Sequence, residues 1–357
     1  MAETHEKPKQ IGRYEIRGQL GRGGMGDVYR VWDPVTRREV ALKVLKFTYP
    51  RALHYFKREF RAVASLSHPN LVTLYDLHGE EGSYFYTMEL IEGVDLYVHI
   101  NSHNRIVSDP RVLSAPARLD RVRRTVIQLL RGLAFLHEHG RVHRDIKPSN
   151  ILVDTEERVK LVDFGIVREL IPGGEGQSLS QVFGTSTYFS PEQSLGSHVG
   201  PASDLYSVGV VLYELLTGTP PFEGESAEVA KMHRTKAALP IMRKVANVPR
   251  DLVRVCDALM LKFEGKRPSA RQALEMLRAD PDLGFPQAEF IGRFSARRRL
   301  HEALKSSQTG QNQLLVIQGE SGVGKTALME TFGQEARLFG ASLFIGTCVQ
   351  RDHVPMR

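Results

Sequence analysis

Cysteine is nearly missing: Cys256 and Cys348 are the two in 357 residues, and they stand far apart. That speaks against a disulfide framework or a zinc site and makes a reducing, cytoplasmic setting the expectation. Long apolar runs are missing as well. No stretch reaches the roughly 18 apolar residues a membrane helix needs, and residues 1–10 are polar and charged, without the apolar segment of a secretory signal. Neither membrane spanning nor secretion is expected. Aromatic residues are not interleaved with the basic clusters, which are Arg118, Arg121, Arg123, Arg124 and Arg131 on one helical pattern, and Arg293 with Arg297, Arg298 and Arg299. A net charge of +7 permits anionic contacts. Without a nucleic-acid module, however, no nucleic-acid partner is expected, and the first arginine group is predicted to form a solvated helix face.

What is present suits a globular chain: 41% hydrophobic residues are enough for sizeable cores, and the length allows roughly two domains. Gly21, Gly23, Gly26 and Val28 form the pattern G-x-G-x-x-G-x-V. A dinucleotide-binding turn would be followed by a helix. Here Asp27-Val28-Tyr29-Arg30-Val31-Trp32-Asp33 alternates and is rich in β-branched and aromatic residues, so a strand is predicted instead. Glycines between two strands let the backbone lie close over phosphates and turn N–H groups toward them. Downstream come Val40-Ala41-Leu42-Lys43, then Glu59 in a stretch whose Phe56, Phe60 and Val63 recur at helical spacing. His143-Arg144-Asp145-Ile146-Lys147-Pro148-Ser149-Asn150 and Asp163-Phe164-Gly165 follow. Two short loops thus supply a proton acceptor, a cation and two oxygen ligands for a divalent metal, the equipment for moving a phosphoryl group from a nucleotide to a hydroxyl.

In order, spacing and residue type, residues 14–277 resemble the bacterial eukaryotic-like (Hanks-type) serine/threonine protein kinase family. The resemblance implies an α+β, bilobal fold: a small β-rich N-lobe over 11–91 and a large helical C-lobe over 92–279, with ATP and Mg²⁺ in the cleft. It implies that Leu20, Gly21, Gly23, Gly26, Val28 and Ala41 enclose the nucleotide and that Lys43 meets its phosphates with Glu59 as partner. Met88 would be the gatekeeper, and Glu89 to Ile91 the hinge facing adenine. Asp145 would accept or orient the substrate proton, Lys147 would stabilise the transferring phosphoryl, and Asn150 and Asp163 would hold the metal. The Asp-Ile-Lys-Pro-Ser-Asn form and Thr185 resemble the serine/threonine branch, so protein Ser or Thr hydroxyls are the expected acceptors. Arg144 would meet an activation-loop phosphate. Ser178 and Ser180, behind the glycine-rich 172–176, are the expected autophosphorylation sites, with self-association bringing one copy to another. Glu192 is expected to pair with Arg267, and Asp204 to receive backbone N–H groups from the catalytic loop. Ser190 departs from the family's usual alanine. Residues 101–117 read as a surface insertion. The alternatives are a nucleotide-binding pseudokinase scaffold, against which the intact set argues, and a nucleotide-dependent switch acting through the tail.

That tail changes character. Residues 1–10 are expected to be flexible, 11–279 to be the kinase domain, 280–287 a linker and 288–357 a partial P-loop NTPase-like α/β unit. After the strand-like Gln313-Leu314-Leu315-Val316-Ile317-Gln318 comes G-x-x-x-x-G-K-T, with Gly319, Gly324, Lys325 and Thr326 as a Walker A phosphate loop. Together with Phe290-Ile291-Gly292-Arg293 this resembles the start of an AAA-like ATPase module. No second acidic strand end follows before Arg357, so nucleotide binding without competent hydrolysis is expected of this second site.

Overall fold

The computed structural model describes residues 10–23, 26–46, 50–80, 83–101, 107–165, 186–197 and 199–277, with scattered positions beyond 299. The chain divides into two compact units, Met1–Phe285 and Pro286–Arg357. In the second, Leu300 and Ala303 are buried; its phosphate-loop residues Gly319, Gly324, Lys325 and Thr326 lie outside the described residues, as do Ser178, Ser180 and Thr185.

The first unit opens with β1 (Gln10–Ile11), β2 (Tyr14–Gly23), β3 (Gly26–Asp33) and β4 (Arg38–Leu45), then α1 (Pro50–Ala64), β5 (Leu74–Glu80) and β6 (Ser83–Met88). These strands form one sheet in the order β1-β2-β3-β4-β6-β5, every pair antiparallel. The strand predicted after the glycines is β3. Alternation along β4 sorts its side chains: Val40 and Leu42 join Tyr14, Val31 and Phe85 on one face, whereas Ala41 belongs with Phe56, Phe60, Tyr86 and Met88 on the other. Two residues on from Ala41, Lys43 shares that inner face. On α1, Phe56, Phe60 and Val63 are buried at the predicted spacing.

The chain then passes through β7 (Gly93–Asp95), α2 (Leu96–Ile100), α3 (Pro110–Leu113) and α4 (Pro116–Glu138). A second sheet, β7-β8-β9, is completed by β8 (Ile151–Asp154) and β9 (Val159–Leu161). The rest is helical: α5 (Pro191–Ser194), α6 (Pro201–Thr217), α7 (Ser226–Thr235), α8 (Ile241–Lys244), α9 (Arg250–Leu259) and α10 (Ala270–Met276). Apolar on nearly every side, α6 is buried almost throughout and forms the axis of this lobe. It meets α9 closely at Gly209, where a Cβ would stand 2.8 Å from Met260 Cγ. Among the described residues no helix is long and apolar enough to cross a membrane.

One surface expectation is corrected. Arg118 is 4% exposed. Its guanidinium donates to Asn101 Oδ1 (2.9 Å), Leu113 O (3.2 Å) and Leu215 O (2.7 Å), and burial lowers its pKa to about 10. Arg121 donates to Ile100 O (3.0 Å), while Arg123 pairs with Asp251. These arginines satisfy the carbonyls and carboxylates that surround α4; they are not simply a solvated face. The described part of 101–117 lies at the surface as expected, with 108–112, 116 and 117 exposed, while Asp109 caps α3 and Leu113, 1% exposed, anchors it.

Two buried histidines make stability depend on pH. His233 donates through Nε2 to Thr187 O (2.9 Å) and accepts at Nδ1 from Tyr206 Oη (3.0 Å). His68 accepts at Nδ1 from Asn70 N (3.1 Å), and its buried Nε2 has no partner. Burial, the largest cause in both, lowers each pKa from 6.5 to about 4. Both stay neutral in the fold while the unfolded chain takes up protons below 6.5, so their contribution is complete above that pH and shrinks as pH falls toward 4. At about 1.4 kcal/mol per pH unit for each, acidifying from pH 7 to 5 is expected to cost about 4 kcal/mol. Urea denaturation at the two pH values measures it; an unchanged midpoint would contradict the neutral assignment.

Candidate active site

The glycine motif continues the strands instead of interrupting them: Gly21 pairs with Val28 and Gly23 with Gly26. At Gly26 a Cβ would fall 2.1 Å from Val44 O, so this position admits no side chain. Val28 lies opposite Lys43 in the β3–β4 register, and Ala41 opposite Met88 in β4–β6. Leu20 is exposed on β2. Past Met88, Glu89 donates its N–H to Thr73 O (2.9 Å). Its carboxylate accepts from Lys160 (2.8 Å) and from Thr73 N (3.1 Å). Glu89 C=O and Ile91 N–H have no partner among the described residues, which leaves a polar backbone edge for a planar base.

Two loops carry the remaining groups, and hydrogen bonds tie them together. Val162 N donates to Asn150 O (2.9 Å) and Gly165 N to His143 O (2.8 Å). A Cβ at Gly165 would stand 2.9 Å from His143 O, so glycine permits this approach. From the first turn of α6, Asp204 accepts His143 N (2.8 Å) and Arg144 N (2.7 Å), as expected from the sequence, and also His137 Nε2 (2.8 Å). This holds Arg144 at φ +68°, a left-handed conformation uncommon outside glycine; Asp163 has φ +58°. Such strain persists only where surrounding bonds over-determine it. His143 is fully buried and its pKa is lowered by that burial. Nε2 donates to Val162 O (3.1 Å), Nδ1 accepts from Asp145 N (3.3 Å), and the ring packs against Phe164 at 5.2 Å.

Asp145 is 6% exposed. Its Oδ2 lies 3.1 Å from Lys147 Nζ and accepts from Asn150 Nδ2 (3.0 Å). Lys43 Nζ stands 2.8 Å from Asp163 Oδ1, an ion-pair distance without hydrogen-bond alignment, so that this buried oxygen accepts no hydrogen bond. Asn150 commits Nδ2 to Asp145, at 2.8 Å to its carbonyl and 3.0 Å to its carboxylate. Asn150 and Asp163 thus bring an amide and a carboxylate from the two loops as oxygen donors for a hard cation, which would take the place Lys43 Nζ holds beside Asp163 Oδ1. Among the described residues no three His, Cys, Asp or Glu side chains cluster as a metal cage.

One expected contact is absent. Glu59 does not pair with Lys43; its Oε2 accepts from Arg141 Nη1 (2.7 Å), and Arg58 Nε is 3.4 Å from Oε1. Arginine neighbours hold the carboxylate, while Lys43 has found Asp163. Sequence reasoning missed Arg141, and it missed Lys160, a buried lysine in Val159-Lys160-Leu161 whose charge in a strand of buried residues was the available signal.

Behind the loops, Arg267 grips Glu192 through two bonds of 2.6 and 2.9 Å, as expected, and Ser203 Oγ donates to the same carboxylate at 2.6 Å. Burial alone would raise the Glu192 pKa, but these partners bring it below its ordinary value. Ser190 in place of alanine has a reason: it caps α5 in a reciprocal box with Gln193.

Residues 14–277 match the family described as protein kinase domain, and residues 289–356 that of the AAA ATPase domain. The chain is similar to serine/threonine-protein kinase PrkC of Bacillus subtilis, 36% identical over 279 residues, with 77% of this chain and 41% of that one covered. It is also similar to serine/threonine-protein kinase PknB of Mycolicibacterium smegmatis, 38% identical over 280 residues, with 75% and 42% covered. The chain thus spans less than half the length of these relatives. Among solved structures, the PpkA-294 apo form superposes with a TM-score of 0.61 at 24% identity, covering 77% of this chain and 100% of that one. The Mycobacterium tuberculosis PknI kinase domain gives 0.58 at 23% identity, covering 77% and 98%. At these identities the superpositions establish the fold: a curled sheet lobe followed by a helical lobe.

Proposed function

Because the chain belongs to the protein kinase family, we propose that it transfers the γ-phosphoryl group of ATP to Ser and Thr hydroxyls of proteins in bacterial signal transduction. The observation that supports this is the clamp between the two loops, which brings the loop of Asp145, Lys147 and Asn150 against that of Asp163, itself paired with Lys43. Asp145 orients the acceptor hydroxyl and takes its proton as the new P–O bond forms and the bond to the β-phosphate's bridging oxygen breaks, releasing ADP. Lys147 offers a compact charge to the transferring oxygens, and Lys43 does so for the other phosphates. Asn150 and Asp163 supply oxygen donors that fit Mg²⁺ once Lys43 moves from Asp163 to phosphate; bound there, the ion would neutralise phosphate charge. Glu89 C=O and Ile91 N–H suit the adenine edge. Arg144 serves as the receptor for an activation-loop phosphate, which requires Ser178 or Ser180 to be modified, by one copy acting on another. The tail, similar to an AAA ATPase domain over residues 289–356, is proposed to bind nucleotide through Lys325 and Thr326. The scarcity of cysteine favours a cytoplasmic setting.

Incubation with γ-labelled ATP is expected to put label on Ser and Thr, including Ser178 or Ser180 on mapping. Nucleotide binding without transferred label would leave a scaffold, and high activity with both serines unmodified would remove them from the account.

A further inference from the structure

We propose that Arg141 is a positioning residue that competes with Lys43 for Glu59, and so sets how often the phosphate-binding lysine has its orienting carboxylate; this rests on the kinase reading above. Four charges lie in a crossed arrangement. Lys43, 7% exposed at its side chain, pairs with Asp163, while Glu59, 14% exposed, pairs with Arg141. A kinase that uses Asp163 for metal and Lys43 for phosphate needs the lysine released from Asp163 and steadied by Glu59. The bond from Arg141 to Oε2 and the approach of Arg58 to Oε1 draw the Glu59 carboxylate away from that role.

Arg141 is suited to hold Glu59. Its backbone N–H donates to Leu136 O at 3.1 Å, and it lies two residues before His143, which Asp204 fixes. The guanidinium thus extends from an anchored stretch of chain. Its planar fork is less strongly hydrated than an ammonium and makes a directional bond to a carboxylate. Nothing in the chemistry of transfer calls for a cation at this position, so its effect on the reaction runs through Glu59. The two pairings of Glu59 form a two-state equilibrium, and removing the bond to Arg141 shifts it toward Lys43.

The test uses the full chain and its ATP kinetics. Arg141→Met keeps the stem and drops the charge; Arg141→Gln is a second charge-free variant should the first fold poorly. Both are expected to lower KM for ATP and to raise turnover at subsaturating ATP about two- to fivefold, the shift produced by losing one part-exposed ion pair. Arg141→Lys retains a cation and is expected to stay within about twofold of wild type. In a Glu59→Gln background the gain from Arg141→Met should vanish, because no carboxylate remains to be released; a merely structural arginine would show no such dependence. The proposal is overturned if a folded charge-free variant shows equal or lower activity, or if its gain survives Glu59→Gln. Wild-type protein that transfers no phosphate would instead sink the kinase reading itself.

Discussion

Replacing Asp145 by Asn is expected to lower phosphotransfer about 10²- to 10⁴-fold, the usual share of a positioned general base. In barrier terms this is about 3 to 5 kcal/mol, at 1.36 kcal/mol per decade. The change is nearly isosteric, and the amide oxygen can still accept from Lys147 and Asn150, which lie at 3.1 and 3.0 Å from Oδ2. What is lost is basicity, since an amide does not take the hydroxyl's proton. Lys43, Asp163 and the backbone edge at Glu89 and Ile91 are untouched, so ATP affinity should hold while kcat falls. The split matters: a joint loss of affinity and turnover would point to a collapsed cleft. An Asp145→Asn protein retaining half of wild-type transfer would remove Asp145 from the chemistry.

The groups that meet within short loops were legible in the sequence because their geometry is local. The separation of Asp145 from Lys147 and Asn150 fixes where a turn can place them, and Gly165 signals the close approach it makes to His143 O. The alternation after Gly26 announced β3 for the same reason, a period of two that only a strand satisfies. Asp204, Glu192 and Arg267 were placed through the resemblance, and the bonds they make agree with it. Glu59 stands with Arg141 in place of the expected Lys43 because its partner depends on how α1 is set against the rest of the lobe, which no spacing encodes; Arg141 is 82 residues away. Arg118 was misjudged for another reason. With Val122, Val126 and Leu129 it falls on one stripe of α4, all of them buried, and that periodicity pointed inward while residue type pointed outward. A guanidinium can follow the stripe when carbonyls wait at its end, as those of Leu113 and Leu215 do.

Arg267→Ala is the substitution expected to cost the fold most, about 3 to 5 kcal/mol, the range for removing one partner of a buried pair. The arginine side chain is fully buried and Glu192 is 10% exposed. Truncation leaves that carboxylate with Ser203 as its remaining side-chain partner and strips the carbonyls of Leu261, Ala202 and Lys262 of donors at 2.7, 2.9 and 3.0 Å. Glu192→Gln should cost less, because the guanidinium keeps those three carbonyls and an amide oxygen still accepts from it. The pH dependence separates this cause from a generic cavity. In the native protein Glu192 has a lowered pKa, so its pairing stabilises the fold above the ordinary carboxylate range and is lost as pH falls through the folded value. Without Arg267 the burial effect is no longer offset and pushes the carboxyl upward. The variant's own contribution then reverses sign, and its stability declines as pH rises through the raised value. The gap between wild type and Arg267→Ala in chemical denaturation should therefore be widest near neutral pH and narrow on acidification. A cavity alone would give a gap independent of pH, and a neutral-pH loss under about 1 kcal/mol, the scale of an exposed ion pair, would show that the Glu192–Arg267 fork does not secure this end of the lobe.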